Sequence, residues 1–360
     1  MIKGVSLFAN VGIAETYLYK HNIKIVVANE LLPKRAKFYQ ELHPDCNMIV
    51  GDITQDEIFN NIVQESIKNG CEFLIATPPC QGMSVAGKMQ EDDPRNSLIK
   101  YVVEFIKRVQ PKNIIIENVP GVLKAYIIVN GKRVKIVDFI EQELKELGYF
   151  INYKVVDTAD YGTPQTRKRA IFLISKDGIW HFPKKERQIT VKEAIGHLPS
   201  LESGEKSLIP YHFAKEHNPR HILWLKHTPT GKTAFDNEKF YPVKENGERI
   251  KGYKTTYKRI SWDKPAPTIT MANGSISSQN NVHPGRLKPD GTYSDARVLS
   301  LKEIFILTGL PDDWEPPKWA SENLIRQVIG EGIPPKLIDR LLKTMPKKQS
   351  LGGLFEFEAS

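Results

Sequence analysis

Over roughly the first 175 residues, short β-branched runs alternate with longer amphipathic ones, which confines this part of the chain to a mostly parallel sheet covered by helices. Val5–Phe8, Lys24–Asn29, Met48–Val50, Phe73–Ala76, Asn113–Ile116, Ile151–Val156 and Ala170–Ile174 read as strands. Pro33–Leu42, Asp56–Lys68, Leu98–Val109 and Val137–Leu147 read as the helices between them. In a doubly wound α/β sheet, ligands collect at the carboxyl ends of strands. Those ends carry Phe8, Glu30, Asp52, Cys80 and Glu117, all but the first polar or reactive.

Past about Ser175 the alternation fails. Six of the nine histidines (His181, His197, His212, His217, His221 and His227) lie between there and about Lys258. His217 and His221 have ligand-like spacing, but Pro219 between them opposes the helix that would align them, so no metal is expected. Arg220, Trp224, Lys226, Lys232, Phe235, Lys239, Phe240, Tyr241, Arg249, Lys251, Tyr253, Lys254 and Tyr257 mix cations with rings. That mixture suits phosphate contact with base stacking, and a solvated irregular domain is the lesser alternative. Leu301–Leu307 and Asn323–Ile329 read as short helices, and Pro334-Pro335 opens a last one over Lys336–Thr344, expected to dock on the sheet. The expected organisation is an α/β domain of residues 1–180 and 320–345, a smaller, irregular, mainly β domain of residues 181–319, and a flexible tail of residues 346–360.

The balance of 51 Lys+Arg against 42 Asp+Glu, a formal +9, favours a polyanionic partner without naming it. Cys46, Cys71 and Cys80 show no C-x-x-C pairing, so neither a zinc site nor a disulfide framework is expected, and a reducing cytoplasm fits. No signal peptide or membrane span is read.

Thr77-Pro78-Pro79-Cys80-Gln81-Gly82 puts a thiol on a stiff double-proline turn straight after an apolar strand. Core packing requires no such arrangement, whereas a nucleophile needs exposure and a fixed direction. Glu117-Asn118-Val119 should bring a carboxyl to the same sheet edge. A carboxylate beside a thiol is a poor protease pair, because it raises the thiol pKa. The two make sense together if the thiolate adds to C6 of a pyrimidine while the carboxyl stabilises the ring at N3 and its exocyclic amine. Gln165-Thr166-Arg167-Lys168-Arg169 then supplies two guanidiniums.

In order and separation, these motifs resemble those of the DNA cytosine-5 methyltransferases of the bacterial restriction-modification type. The likeness covers most of residues 5–175 and 259–340, and residues of about 181–258 take the place of the family's variable target-recognition segment. The resemblance implies that Cys80 attacks C6, that Glu117 holds N3 and the amine, and that Arg169 contacts O2 and Glu117, with Arg167 nearby favouring the thiolate. It implies S-adenosylmethionine as methyl donor, S-adenosylhomocysteine as product and no metal. Leu7-Phe8-Ala9-Asn10-Val11-Gly12 resembles the opening cofactor motif, with Asn10 where a glycine is usual and Ile13 replacing another. Asn tolerates positive φ best among the other residues. By the same resemblance Glu30 and its neighbour Leu31 take the ribose side, Asp52 the adenine amine, Ile53 the adenine face, and Pro78 and Leu98 the methionine side. Gly330-Glu331-Gly332-Ile333-Pro334-Pro335 resembles the closing motif, with Glu331 where Asn is common. Arg259-Ile260-Ser261-Trp262 with Pro267-Thr268-Ile269-Thr270 resembles the motif that braces the recognition segment.

A stacked cytosine hides C5 and C6, so the implied target is double-stranded DNA with the base flipped out. The segment 81–96 is the natural closing loop. Gln81, Ser84 and Gln165 are candidate DNA contacts. The expected partners are the duplex and, functionally, a restriction endonuclease of the same specificity, with the enzyme acting as a monomer. A nicotinamide dehydrogenase would need G-x-G-x-x-G, which Ala9-Asn10-Val11-Gly12 does not offer. An RNA cytosine-5 methyltransferase of similar fold and a non-catalytic DNA-binding protein are the other readings.

Overall fold

A computed structural model describes residues 1–79 and 97–347. In chain order the strands are β1 (Ile2–Leu7), β2 (Ile23–Glu30), β3 (Asn47–Val50), β4 (Phe73–Ala76), β5 (Asn113–Asn118), β6 (Tyr126–Val129), β7 (Lys132–Lys135), β8 (Phe150–Asp157) and β9 (Lys168–Ser175). The helices are α1 (Pro33–Leu42), α2 (Asp56–Lys68), α3 (Leu98–Val109), α4 (Ile136–Lys145), α5 (Val191–Ile195), α6 (Pro219–Lys226), α7 (Leu301–Thr308), α8 (Glu322–Glu331) and α9 (Pro335–Leu342).

Seven strands form one sheet in the order β3-β2-β1-β4-β5-β9-β8. Pairing is parallel from β3 to β5, while β9 runs antiparallel to both β5 and β8. The chain winds outward from β1 to β3 and then crosses back to lay β4 on the other side of β1. The strand order therefore reverses between β1 and β4, where an open α/β sheet leaves a crevice beyond its carboxyl ends.

Strand side chains alternate faces, and the sequence divides accordingly. Leu74, Ile114, Ile116, Phe172 and Ile174 pack against Phe59, Ile62 and Val63 of α2, Val102, Phe105 and Ile106 of α3, and Ile140 and Leu144 of α4. Phe73, Ile75, Ile115, Ile171 and Leu173 face the other way, onto Tyr39 of α1 and Leu337, Ile338, Leu341 and Leu342 of α9. The last helix thus docks on the sheet, as expected.

The expected strands and helices of the first 175 residues are all present, most of them with ends extended by one to three residues. The β6–β7 hairpin was not anticipated. Its turn is Asn130-Gly131, both at positive φ (49° and 73°), the dipeptide most suited to a two-residue hairpin loop. In the later half, α6 begins at Pro219, which opens the helix from its first position while Asn218 caps Arg220 N. His217 is left outside the helix, where its Nε2 accepts from Val298 N at 3.2 Å.

Between residues 181 and 319, β pairing among the described residues takes the form of isolated bridges such as Thr233 with Lys258 and Val282 with Val298. A small core of Trp224, Leu225, Ala234, Tyr257, Ile276, Val282, Ala296 and Val298 holds this part together. Two of the rings read as candidate stacking platforms, Trp224 and Tyr257, are therefore core residues, whereas Phe240 and Tyr253 are exposed. A separate core joins Val11, Ile13 and Phe38 to Val191, Ile195, Ile260, Ile269, Leu301, Ile304, Phe305, Ile325 and Val328, so α7 packs with the sheet-bearing part across the expected boundary at 320. From residue 348 on, the expected flexible tail lies outside the described residues.

Candidate active site

β4 ends at Ala76, and Thr77-Pro78-Pro79 leads away from it with Pro78 buried and Pro79 exposed. Cys80, Gln81 and Ser84 lie outside the described residues. The turn is held from two sides. Thr77 Oγ1 donates to Phe8 O at 3.0 Å, tying β4 to the end of β1, and Asn118 Nδ2 donates to Pro78 O at 3.1 Å, tying it to β5.

Asn118 follows Glu117, whose carboxyl is buried at the same edge. Arg169 on β9 reaches across so that its Nε lies 2.7 Å from Glu117 Oε1. The antiparallel register makes this possible, since Glu117 pairs with Ile171 and Asn118 with Ala170. Burial pushes the Glu117 carboxyl above its usual range, although Arg169, Arg167 and the hydrogen bond from Arg169 all pull it down. Such a group holds its proton closer to neutrality than a solvated glutamate and can hand it to a substrate nitrogen.

Arg167 is buried too, with burial and then the like charge of Arg169 lowering it to about 9, so it stays cationic at neutral pH. Its guanidinium donates to Ile269 O at 3.1 Å and Glu331 O at 3.0 Å. Those bonds make it a clamp between the sheet, the 259–270 segment and the end of α8. Gln165, expected at the DNA, is 1% exposed, and its Oε1 accepts from Ile269 N at 3.1 Å. In this arrangement it braces the 259–270 segment and presents nothing to a duplex.

The expected cofactor residues gather at the ends of β1, β2 and β3. Phe8 and Asn10 adopt positive φ of 59° and 50°, and Gly12 follows at 80°. Asn10 thus carries the left-handed turn without glycine, as its tolerance allows. A Cβ at Gly12 would fall 2.4 Å from His43 Nε2, so the last turn of that loop has room only for glycine. Glu30 accepts from Asn10 N at 2.9 Å and Leu32 N at 3.0 Å. Burial raises its pKa, and the two backbone N–H groups and Arg35 oppose that. Asp52 accepts from Thr54 N at 2.9 Å through one oxygen. Leu31 is exposed beside Glu30, Ile53 is buried in the sheet core, and Leu98 packs against that core at the start of α3.

Asn10 Oδ1 is buried with no hydrogen-bond partner among the described residues. An orphaned acceptor at the sheet's switch point, beside the Glu30 carboxylate that accepts from Asn10 N and is suited to a diol, fits a nucleoside cofactor. Glu331, where Asn was the expected residue, pairs with Arg35 at 2.6 Å and so joins α8 to α1 over the end of β2. Gly330 beside it lets the helix approach the 270 backbone, since a Cβ there would sit 2.3 Å from Thr270 O. Arg35 and Asn118 escaped the sequence reading. Asn118 was legible inside the Glu117-Asn118-Val119 triplet, whereas Arg35 carried no signal of its own.

The sequence profile of the C-5 cytosine-specific DNA methylases matches residues 2–347. The chain belongs to that family. It is accordingly a DNA (cytosine-5-)-methyltransferase. It is 51% identical to the Type II methyltransferase M1.HgaI of Avibacterium volantium over 95% of this chain and 97% of that protein. It is 28% identical to the Type II methyltransferase M1.HphI of Haemophilus parahaemolyticus over 95% and 86%. In fold it is similar to a Spodoptera frugiperda DNMT2 mutant, with TM-score 0.62, 17% identity and coverage of 96% and 99% of the two chains. It is likewise similar to the Entamoeba histolytica methyltransferase EhMeth, with TM-score 0.64, 14% identity and coverage of 96% and 98%. Among the described residues, no group of histidines, cysteines and carboxylates could hold a metal ion, and no helix is long and apolar enough to cross a membrane.

Proposed function

We infer that this methyltransferase acts on a flipped-out cytosine in double-stranded DNA, through a covalent bond between Cys80 and C6. The observation that carries the reading is the buried Glu117–Arg169 pair, one strand away from the Pro78-Pro79 turn that leads to Cys80. The thiolate of Cys80 adds to C6, and the electron pair displaced onto the ring is met at N3 by the proton of Glu117. Glu117 also accepts from the exocyclic amine. Arg169 bonds to O2 and keeps Glu117 aimed.

S-adenosylmethionine, when bound, would supply an electrophilic methyl group on its sulfonium, with S-adenosylhomocysteine as the product. Glu30 would hold its ribose hydroxyls with Leu31 alongside, Asp52 its adenine amine, Ile53 the adenine ring, and Phe8, Asn10 and Gly12 the turn beneath it. Pro78 and Leu98 would line the methionine side. Once C5 carries the methyl group, its proton leaves to water, the S–C6 bond breaks to expel the Cys80 thiolate, and N3 returns its proton to Glu117. Gln81 and Ser84 remain candidates for contact with the opened duplex. Gln165 serves it indirectly, by bracing the recognition segment.

On this reading residues 1–180 and 320–345 do the chemistry and residues 181–319 read sequence. A protective role beside a restriction endonuclease of matching specificity follows from the likeness to Type II methyltransferases, and the enzyme works as a cytoplasmic monomer. The test is covalent trapping. A duplex bearing 5-fluorocytosine in the site mapped by bisulfite sequencing should form a stable adduct with the wild type in the presence of methyl donor and none with Cys80→Ser. No adduct with the wild type would overturn the scheme. A tRNA substrate methylated in preference to DNA would favour the RNA reading.

A further inference from the structure

Between Asn118 and Val137 the chain carries Lys124, Lys132, Arg133 and Lys135 and no aspartate or glutamate. The fold doubles this stretch back as the β6–β7 ribbon, pairing Tyr126 with Lys135, Ile127 with Val134, Ile128 with Arg133 and Val129 with Lys132. Because strand side chains alternate, Ile127, Val129 and Val134 share one face, and all three pack on the core of the sheet. Tyr126, Ile128, Arg133 and Lys135 share the other. There the Arg133 guanidinium lies 3.6 Å from the centre of the Tyr126 ring and Ile128 is 51% exposed. All four cations of the stretch are exposed.

The ribbon stands at the catalytic edge. β5 ends in Glu117-Asn118, a short turn over Pro120–Lys124 follows, and the ribbon begins at Tyr126. Lys100, in the first turn of α3, donates to Ile128 O and fixes the ribbon there. It thus flanks the crevice on the side of the sheet covered by α3 and α4, while the 259–329 region packs on the side of Val11 and Phe38. At the opposite end of the sheet the sequence supplies both signs. Lys24 pairs with Asp45 at 2.9 Å and Lys68 with Glu65 at 2.9 Å, so that surface is electrically mixed. The ribbon's own residues, 119–136, carry cations and no carboxylate.

We propose that the β6–β7 ribbon is a DNA-backbone arm, whose cations meet phosphates flanking the target base on the side away from the recognition region. The proposal rests on the duplex-DNA reading above. Lysine and arginine on a stiff two-stranded ribbon bind phosphate by charge and reach, which positions a duplex without reading its sequence. The arm therefore adds affinity for any duplex and leaves the choice of site to residues 181–319.

The test compares the wild type with the combined Lys132→Gln, Arg133→Gln and Lys135→Gln variant, on a random-sequence duplex and on a duplex bearing the mapped site. Affinity for both should weaken by the same factor, about tenfold or more near physiological salt. The slope of log K against log salt should become shallower by up to about 2.7, at roughly 0.9 per lost phosphate contact. Donor affinity and site preference should hold. A matched control, Lys3→Gln with Lys24→Gln and Lys68→Gln at the far end of the sheet, should leave the slope unchanged. If the triple variant melts early, Lys132→Glu at the exposed turn gives the same reading from one residue. Unchanged affinity and slope in a folded variant overturn the arm alone, as does an equal effect of the control. A wild type that methylates no duplex overturns the underlying reading and the arm with it.

Discussion

Arg169 Nε and Glu117 Oε1 sit 2.7 Å apart with side chains only 14% and 10% exposed, so the guanidinium is bound to the carboxyl within the protein's interior. Arg169 pulls the Glu117 pKa down against the larger upward push of burial. Removing the cation therefore raises that pKa further. In Arg169→Leu, kcat should fall roughly 10²–10³-fold, the usual cost of one preorganised donor. The alkaline limb of the pH–rate profile, where Glu117 gives up its proton, should move to higher pH. Glu117→Gln keeps a hydrogen bond but no transferable proton, and should lose about 10²–10⁴-fold with that limb abolished. An unmoved limb in Arg169→Leu would break the link.

Gly12 should not accept alanine. At φ 80° a side chain is strained, and its Cβ would meet His43 Nε2 at 2.4 Å and Tyr39 Cε2 at 3.0 Å. Gly12→Ala should cost about 1–3 kcal/mol of stability and raise KM for the methyl donor more than it changes kcat. Thermal melts with donor titration check both.

Glu15 is fully buried beneath the same loop, hydrogen-bonded by Tyr39, and burial carries its pKa up to about 7 against the ordinary 4.5. A folded-state pKa above the unfolded one means a stability contribution present below about pH 4.5 and lost as pH rises through about 7. Ionisation should cost on the order of 3 kcal/mol. Glu15→Gln should then be more stable than the wild type above pH 7 and lose the advantage by pH 4.5, read from denaturant midpoints across that range. A constant difference would refute the assignment.

Arg297 is completely buried between Asp295, at 2.9 Å, and Glu303, at 2.8 Å. Burial alone would push Glu303 up, but Arg297, His283 and hydrogen bonds outweigh it and hold the carboxyl at about 2. Its contribution is therefore present above pH 4.5 and lost as pH falls through about 2. Arg297→Met should leave the buried Glu303 carboxylate without its cation and Asp295 with Arg286 alone, at 3.2 Å, and destabilise the protein by about 3–5 kcal/mol. Donor affinity of the surviving folded fraction should stay near wild type, since Glu30 and Asp52 lie elsewhere. Calorimetry with donor binding separates the two effects.

The sheet was legible because its burial pattern is written residue by residue: Phe73-Leu74-Ile75-Ala76 and Asn113–Ile116 are short apolar runs bounded by turn signals. Glu117, Glu30 and Asp52 were legible because carboxyl ends of parallel strands converge in space, and Arg169 because it closes the Gln165-Thr166-Arg167-Lys168-Arg169 run. What escaped depended on contacts between distant segments. Nothing local tells Gln165 that Ile269 N will cover it, or Arg167 that its partners are two carbonyls far down the chain. The exchange of the usual Asn for Glu331 becomes intelligible only beside Arg35. Trp224 and Tyr257 looked like stacking platforms because aromatic rings in an aperiodic segment give no sign of which face turns inward. The hairpin at Asn130-Gly131 had a local signal, and the helix pattern beginning at Val137 masked it.

The two carbonyls held by Arg167, those of Ile269 and Glu331, also order events in time. Synthesis runs from the amino terminus, so the strands and Glu117 are made long before the segment that closes over them. Until residue 331 has emerged from the ribosome, the guanidinium has no carbonyl from α8 to grip. Chains cut short before residue 331 therefore lack the α8 carbonyl that Arg167 grips.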